Sequence, residues 1–300
     1  MGLLIVLVLG VRADGGSALG KPPGTPSVLR DLPGLENVVP VMEGLVNGSA
    51  PEGDAGFDSL QRLGIKTIIS VDGAVPDVER AKAHGMRYVH LPIRYGGIDE
   101  ERGLRIIRAV RDLPGPTYIH CFHGKHRSPA VSALAAVGLG RMSNAEALAF
   151  MKAAGTSEKY AALYRAVGNA SLVGDDRLDR VPEDFPACFE LPGFVRKMSA
   201  VGTTWDDLDR SRRVDWQVPP DHPDLDRAAL GRALARTLGD ACDDESVTSR
   251  EPEFQIMLKQ SSDASRALAE ALATDDRKLM TERFGVARET CLSCHSKYRD

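Results

Sequence analysis

The chain has 300 residues, a formal net charge of −4, an apolar fraction of 43% and a charged fraction of 27%. This length is enough for two folded domains, and the composition is that of ordinary globular protein. The slight excess of acidic residues excludes the strongly basic surface on which nucleic-acid binding depends, so no nucleic-acid partner is expected.

The N-terminal region predicts an export signal followed by a flexible lead-in. Residues 3–9 are all Leu, Ile or Val, and a small-residue site follows at 10–13. The run is too short to cross a membrane as a helix, but it has the length of a signal-peptide core. We expect residues 1–14 to be a signal peptide, with a buried strand as the alternative, and the protein to be periplasmic or otherwise exported. Residues 15–36 are rich in Gly, Pro and Ser and predict a flexible lead-in.

Short β-branched runs alternate with helical patterns from residue 37 to residue 168. This alternation predicts an α/β domain with a mostly parallel sheet flanked by helices. The expected strands are 38–41, 67–71, 88–91 and 117–120, and the expected helices are 56–63, 77–84, 100–112 and 129–139. Ser143 and Glu146 form a capping-box pattern that begins a further helix, and 159–167 is expected to be the last helix of the domain.

The most specific motif of this domain follows its last expected strand. It is H-C-x5-R-S, which begins at His120 and Cys121 and ends at Arg127 and Ser128. Such a loop turns backbone N–H groups toward an anion, and the helix that begins near Arg127 adds the positive end of its dipole. These groups favour the thiolate of Cys121, while Arg127 binds two phosphoryl oxygens and Ser128 hydrogen-bonds the sulfur. The expected phosphate-binding residues are Phe122, His123, Gly124, Lys125, His126 and Arg127, with His120 ordering the loop from behind.

This motif and its strand–loop–helix setting resemble the dual-specificity branch of the protein tyrosine phosphatases, over residues 37–168. The resemblance implies hydrolysis of a phosphomonoester, in a small molecule or a protein, through a thiophosphate on Cys121. It also implies an aspartate general acid in the segment after Pro92, where this chain has Tyr-Gly-Gly at 95–97. Asp99 is the nearest carboxylate there, and we expect it either to be the acid or to begin the next helix.

The second half of the chain has a different character. Residues 169–186 combine Gly, Asp and Pro with little periodic apolar content and predict an interdomain linker. Residues 187–300 contain no strand-like run, and their four helical segments predict a four-helix bundle. The approximate limits of these segments are 194–209, 225–238, 252–273 and 275–298.

The last of these helices carries C-x-x-C-H, formed by Cys291, Cys294 and His295. This pattern is typical of c-type haem attachment, in which two thioether bonds hold the haem and the histidine binds its iron. Extended to C-x-x-C-H-x-x-Y-R on the last helix of a bundle, it resembles cytochrome c′, over residues 187–300. The resemblance implies one covalent haem c, with Met198 of the first helix as a second iron ligand or as a core residue.

Together the two resemblances imply an exported haem protein with a phosphomonoester-hydrolysing domain, in which the haem serves electron transfer or redox or gas sensing. The alternative is an electron-transfer or gas-binding cytochrome whose first domain only binds an anionic ligand. An unidentified redox partner and a homodimer through the helical bundle are also expected. The two remaining cysteines, Cys188 and Cys242, are expected either to form a disulfide or to stay free.

Overall fold

The structure is a computed structural model that describes residues 30–220, 222–223 and 225–299. The expected signal peptide and most of the expected lead-in lie outside these residues. The described chain forms an α/β part followed by an all-helical part. None of its helices is both long enough and apolar enough to cross a membrane.

A six-stranded mixed sheet forms the centre of the α/β part, in the order β1-β2-β3-β6-β4-β5. Its strands are Arg30–Leu32 (β1), Leu35–Met42 (β2), Leu45–Gly48 (β3), Thr67–Ser70 (β4), Arg87–His90 (β5) and Thr117–His120 (β6). Strands β3, β6, β4 and β5 are parallel to one another, and β1 and β2 add an antiparallel edge beside β3. The four predicted strands are therefore confirmed, whereas β1 and β3 were not predicted. The sheet is mixed because β2 pairs antiparallel with both β1 and β3.

The antiparallel edge corrects the predicted limit of the lead-in, because residues 30–36 form β1 and the start of β2. Leu35 and Val38 are only 2% and 3% exposed, and the apolar area that they bury holds this edge on the domain. The turn between the two strands contains Gly34, whose φ is +67°. A Cβ at Gly34 would lie 2.2 Å from the backbone nitrogen of Gly56, so the close approach requires glycine.

Helices cover both faces of the sheet. They are Gly53–Arg62 (α1), Val78–Ala83 (α2), Glu100–Asp112 (α3), Arg127–Gly138 (α4), Asn144–Ala153 (α5) and Ala161–Gly168 (α6). Successive strand residues point to opposite faces: Ile68 packs in one apolar cluster with α1 and α2, while Ile69 packs in the other with α3 to α6. The capping box of Ser143 and Glu146 is present at the start of α5.

The segment predicted as an interdomain linker is packed against the α/β part. It contains a short helix, Asp175–Leu178 (α7). Leu178 is fully buried, in a cluster with Ile107 of α3 and Ala135 of α4, and the Arg108 guanidinium donates to the carbonyl oxygen of Val181. The proline and aspartate content of this segment suggested a linker, yet its few apolar residues are enough to hold it against α3.

The all-helical part contains Gly193–Arg213 (α8), Arg227–Cys242 (α9), Glu245–Thr248 (α10), Pro252–Leu272 (α11) and Arg277–Tyr298 (α12). The four long helices occur where they were predicted. α9 packs against α8 and α11, and α11 packs against α12. Trp216 is buried in their apolar core, and its indole nitrogen donates to Thr281 Oγ1 at 2.9 Å. Cys188 and Cys242 are both free thiols.

Replacing Leu178 by alanine should lower the free energy of unfolding by about 2–5 kcal/mol, because the side chain fills a closed site between α3 and α4. Leu172→Ala is the matched control, since Leu172 is 70% exposed and its truncation should change stability by less than about 0.5 kcal/mol. Urea unfolding followed by circular dichroism measures both variants. Equal midpoints for the two variants would show that the segment is not packed in solution.

Candidate active site

The H-C-x5-R-S motif forms the connection between β6 and α4. Because β6 lies between β3 and β4, it brings Cys121 to the middle of the sheet, at the carboxyl end of the parallel strands. The Cys121 side chain is buried, and Ser128 Oγ donates a hydrogen bond to its sulfur at 3.3 Å. The thiol, the loop and the first turn of α4 therefore meet at one point, a common location for ligands in α/β proteins.

The loop is held from its outer side. Its carbonyl oxygens at residues 122 to 125 each accept a hydrogen bond from the surrounding protein. In that order the donors are Ala50 N (3.0 Å), Asn37 Nδ2 (2.9 Å), Asn47 Nδ2 (3.0 Å) and Thr156 Oγ1 (2.8 Å). Because these four carbonyls are turned outward, the backbone N–H groups of the loop are left to face the space beside Cys121. This arrangement is an anion-binding nest.

Gly124 allows the loop to pass directly over β3. Its φ is +71°, and a Cβ at this position would lie 2.4 Å from the carbonyl carbon of Gly48. Such a distance is impossible between nonbonded carbons, so any other residue would push the loop away from the strand. Glycine is therefore required here by both backbone conformation and space.

Arg127, the first residue of α4, points its guanidinium into the same region. Its Nε is buried and has no hydrogen-bond partner in the described chain. Burial on its own would lower the pKa of Arg127, but the neighbouring Tyr95, Asp72 and Cys121 raise it overall. A buried guanidinium nitrogen without a partner, beside an anion nest, is a group that an oxyanion would satisfy.

The histidines of the motif have separate roles. His120 Nε2 is 2.7 Å from the Tyr88 hydroxyl, and its Nδ1 is 3.3 Å from the Cys121 carbonyl oxygen, so it supports the loop from behind. His126 Nδ1 accepts a hydrogen bond from Ser157 N at 3.3 Å. Burial and the nearby positive charges lower the pKa of His126 to about 4, so its ring is neutral at neutral pH. Among the described residues, no group of three or more His, Cys, Asp or Glu could hold a metal ion.

The expected position of the general acid holds no free carboxylate. Asp99 is the exposed N-cap of α3, and its Oδ1 accepts a hydrogen bond from Arg102 N at 2.8 Å. The ring of Tyr95 lies instead against the loop, with the Arg127 guanidinium carbon 4.8 Å from its centroid. Asp72 lies beneath the site at 2% exposure, and its Oδ1 accepts from Ala74 N at 2.6 Å.

The helical part contributes to the same site. Asp206 of α8 has its Oδ2 3.4 Å from Nε2 of His123, and the Arg299 guanidinium carbon at the end of α12 lies 4.5 Å from the Tyr95 ring centroid. Sequence reasoning missed Asp206, because no motif surrounds it. It also missed three residues that hold the loop, Asn37, Asn47 and Thr156. An available signal was the pair of asparagines within β2 and β3, because this residue type is disfavoured in strands.

The residues of C-x-x-C-H lie together on α12. Cys291 and Cys294 are partly buried free thiols, and His295 is exposed. At the same end of the helical part, Phe254 of α11 contacts Phe194 of α8 and Tyr298 of α12, at centroid distances of 5.8 and 5.0 Å.

The apolar stripe at the start of α8, formed by Phe194, Met198 and Val201, is only partly buried, whereas Leu208 further along the helix is fully buried. Two free thiols followed by a histidine on one helix are the residue types that covalent attachment of a c-type haem requires.

No protein-family model and no curated protein matches this chain. Similar solved structures include TpbA of P. aeruginosa, which is 22% identical with a TM-score of 0.39 and covers 46% of this chain and 86% of its own. TpbA has also been solved in complex with phosphotyrosine, with a TM-score of 0.40. The core catalytic domain of the PP-IP phosphatase SIW14 from S. cerevisiae, solved with citrate, is 18% identical with a TM-score of 0.42. It covers 50% of this chain and 93% of its own.

Proposed function

We propose that the α/β part is a cysteine-dependent phosphatase that hydrolyses phosphomonoesters, in a small molecule or a protein, through a thiophosphate intermediate. One observation carries the proposal: the outward-held loop carbonyls leave an anion nest between the Cys121 sulfur and the unpartnered Nε of Arg127. A nucleophilic sulfur and an oxyanion-binding surface at one point are the two requirements of this chemistry.

The reaction has two steps. In the first, the Cys121 thiolate attacks phosphorus, the S–P bond forms, and the bond to the leaving oxygen breaks. The loop N–H groups and the Arg127 guanidinium stabilise the charge on the three nonbridging oxygens. In the second, water attacks phosphorus and the S–P bond breaks, while the hydrogen bond from Ser128 stabilises the returning thiolate. The leaving oxygen of the first step also needs a proton.

Cys121→Ser should abolish turnover of p-nitrophenyl phosphate, because serine is not ionised at neutral pH and the nucleophile is lost. Cys188→Ser is the matched control and should keep wild-type kcat/KM, since Cys188 is an exposed free thiol outside the loop. Arg127→Lys should lower kcat by about 10²–10³-fold, because lysine keeps the charge but loses the planar fork. Steady-state rates of the four proteins test these expectations.

The alternative function is an electron-transfer or gas-binding cytochrome whose α/β part only binds an anion. The absence of a carboxylate at 95–97 and the capping role of Asp99 favour it. The same assay separates the two functions. A wild-type protein that binds phosphate but turns over no ester at any pH would contradict the phosphatase and support the anion binder.

We also propose that the helical part is a four-helix bundle of the cytochrome c′ kind that holds one covalent haem c. Cys291 and Cys294 would form the thioether bonds, His295 would bind the iron from α12, and Met198 would face it from α8. When bound, the haem supplies electron transfer or redox or gas sensing. Support comes from the two free thiols and from the partly buried stripe of α8, whose side chains would exclude water from the group.

Three further proposals follow from the haem site. Export of the protein is the first, since this attachment pattern implies maturation outside the cytoplasm. A redox partner is the second, because an electron-transfer haem must exchange electrons with another protein or molecule. A homodimer through the helical part is the third, and it is based on the resemblance to cytochrome c′.

Production of the full chain with periplasmic haem-maturation machinery should yield a protein heavier by one haem, with a Soret absorption band. The double variant Cys291→Ala, Cys294→Ala should lose both the added mass and the band, because no thioether can form. Cys188→Ala should keep both. Wild-type protein that has only its polypeptide mass and no Soret band would contradict the haem proposal.

The role of Met198 is tested on the same material. If its sulfur binds the iron, the wild-type spectrum is low-spin with a Met–iron charge-transfer band, and Met198→Ala removes that band. A wild-type spectrum that is high-spin and unchanged in Met198→Ala would identify Met198 as a core residue.

A further inference from the structure

We propose that Asp206, on the first helix of the helical part, is the general acid that protonates the leaving oxygen, and that His123 positions it. The inference rests on the proposed phosphatase function. It assigns the general-acid carboxylate, which the α/β part does not supply. It makes the active site a joint product of the two parts of the chain.

The first support is geometric. Asp206 Oδ2 lies 3.4 Å from Nε2 of His123, and the side chains are 28% and 52% exposed. His123 is the second residue after Cys121, and Asn37 holds its carbonyl oxygen on the outer side of the loop. α8 therefore presents a partly buried carboxyl group to the side chain of a loop residue, from an element that is independent of the loop itself.

The second support is the state of the other carboxylates near the loop. Asp99 is exposed and caps α3, so its Oδ1 is already engaged. Asp72 lies beneath the loop at 2% exposure, with its Oδ1 held by Ala74 N, and it is closed off from an entering ester. Tyr95 replaces a carboxylate at the expected position of the acid. Of these three described carboxylates, Asp206 is the one that contacts a loop side chain and remains partly open to solvent.

The third support is electrostatic. Burial raises the pKa of Asp206 to about 6; Arg210 opposes this shift, while Asp207, Asp209 and Glu36 add to it. Burial lowers the pKa of His123. The positive charges of Lys125, Arg127 and Arg210 lower it further, while the negative charge of Glu36 raises it. Below about pH 6 the carboxyl therefore keeps its proton, and the lowered pKa of His123 favours its neutral imidazole. An acid with a pKa near the working pH is suited to proton transfer.

As the Cys121 sulfur bonds to phosphorus, the bond from phosphorus to the ester oxygen breaks, and the proton of the Asp206 carboxyl moves to that oxygen, so the alcohol leaves. Asp206 is then a carboxylate. In the second step it takes a proton from the attacking water, the S–P bond breaks with its electron pair returning to sulfur, and phosphate leaves. The carboxyl and the thiolate are both restored.

The test compares esters with good and poor leaving groups on the full-length protein. Asp206→Asn should lower kcat/KM for phenyl phosphate by about 10²–10⁴-fold, because phenolate needs a proton to leave. With 2,4-dinitrophenyl phosphate, whose leaving group needs none, the loss should stay within a few-fold, and this retained activity also shows that the variant folds. The fall in phenyl phosphate turnover as the pH rises through about 6 should disappear in the variant.

Two variants serve as controls. Asp209→Asn changes the same helix at a carboxylate that pairs with Arg212 and Arg213, and it should keep the leaving-group dependence of the wild type. Asp99→Asn should also keep the leaving-group dependence of the wild type. His123→Gln should shift the pH at which phenyl phosphate turnover falls, because it changes the partner of the acid without removing the acid.

Each other outcome overturns the inference. Equal losses on both esters in Asp206→Asn would indicate a structural or anion-binding role. A selective loss on phenyl phosphate in Asp99→Asn, with Asp206→Asn behaving like wild type, would assign the acid to α3. Absence of Cys121-dependent turnover of either ester by the wild type would refute the phosphatase itself, and that result is distinguishable because it requires no variant of Asp206.

Discussion

The candidate site depends on hydrogen bonds that hold the outer side of one loop. A chain segment between a strand and a helix has no intrinsic reason to turn its N–H groups toward a single point. Here the carbonyl groups are fixed outward by β2, β3 and the segment after α5, and Gly124 lets the loop lie against the backbone of β3. The residues around the loop therefore create the anion-binding surface. The free energy needed to order the loop is supplied by folding, so the ligand does not have to supply it on binding.

The α/β and helical parts meet beside this loop through both polar and apolar contacts. Glu52 pairs with Arg210 at 2.7 Å and with His222 at 2.9 Å. Partly exposed pairs of this kind typically contribute at most about 1 kcal/mol each. α8 also passes so close to the α/β part that a Cβ at Gly73 would lie 3.4 Å from Val195 Cγ1. The position of Asp206 relative to the loop therefore depends on packing as well as on ion pairs.

Local patterns allowed much of this molecule to be predicted. Three of the four parallel strands, β4, β5 and β6, and the long helices follow from periodicity. The positions of Cys121, Arg127 and Ser128 follow from a fixed spacing around a strand–loop–helix turn. β3 was missed because its four residues, Leu-Val-Asn-Gly, contain two residue types that are disfavoured in strands. Leu178 and Phe185 are buried in the α/β part. The sequence predicted a linker for both of them because proline and aspartate dominate the surrounding residues.

The contacts that complete the site could not be predicted, because they join distant positions. Asn37 lies 86 residues before the carbonyl group that it holds, and Thr156 lies 31 residues after its partner. Asp206 reaches His123 only because α8 folds back across the α/β part. Periodicity and motif spacing carry no information about such pairs, which are decided by how the layers of the fold pack together.

The end of α12 has a practical consequence for handling the protein. Arg299 follows His295 by four residues, a rise of about 6 Å along the helix axis, and its guanidinium already rests on Tyr95. A polypeptide joined after this residue would therefore start within the length of one arginine side chain from Tyr95. An affinity tag placed there would lie close to the ring that borders the anion nest and would compete with incoming esters.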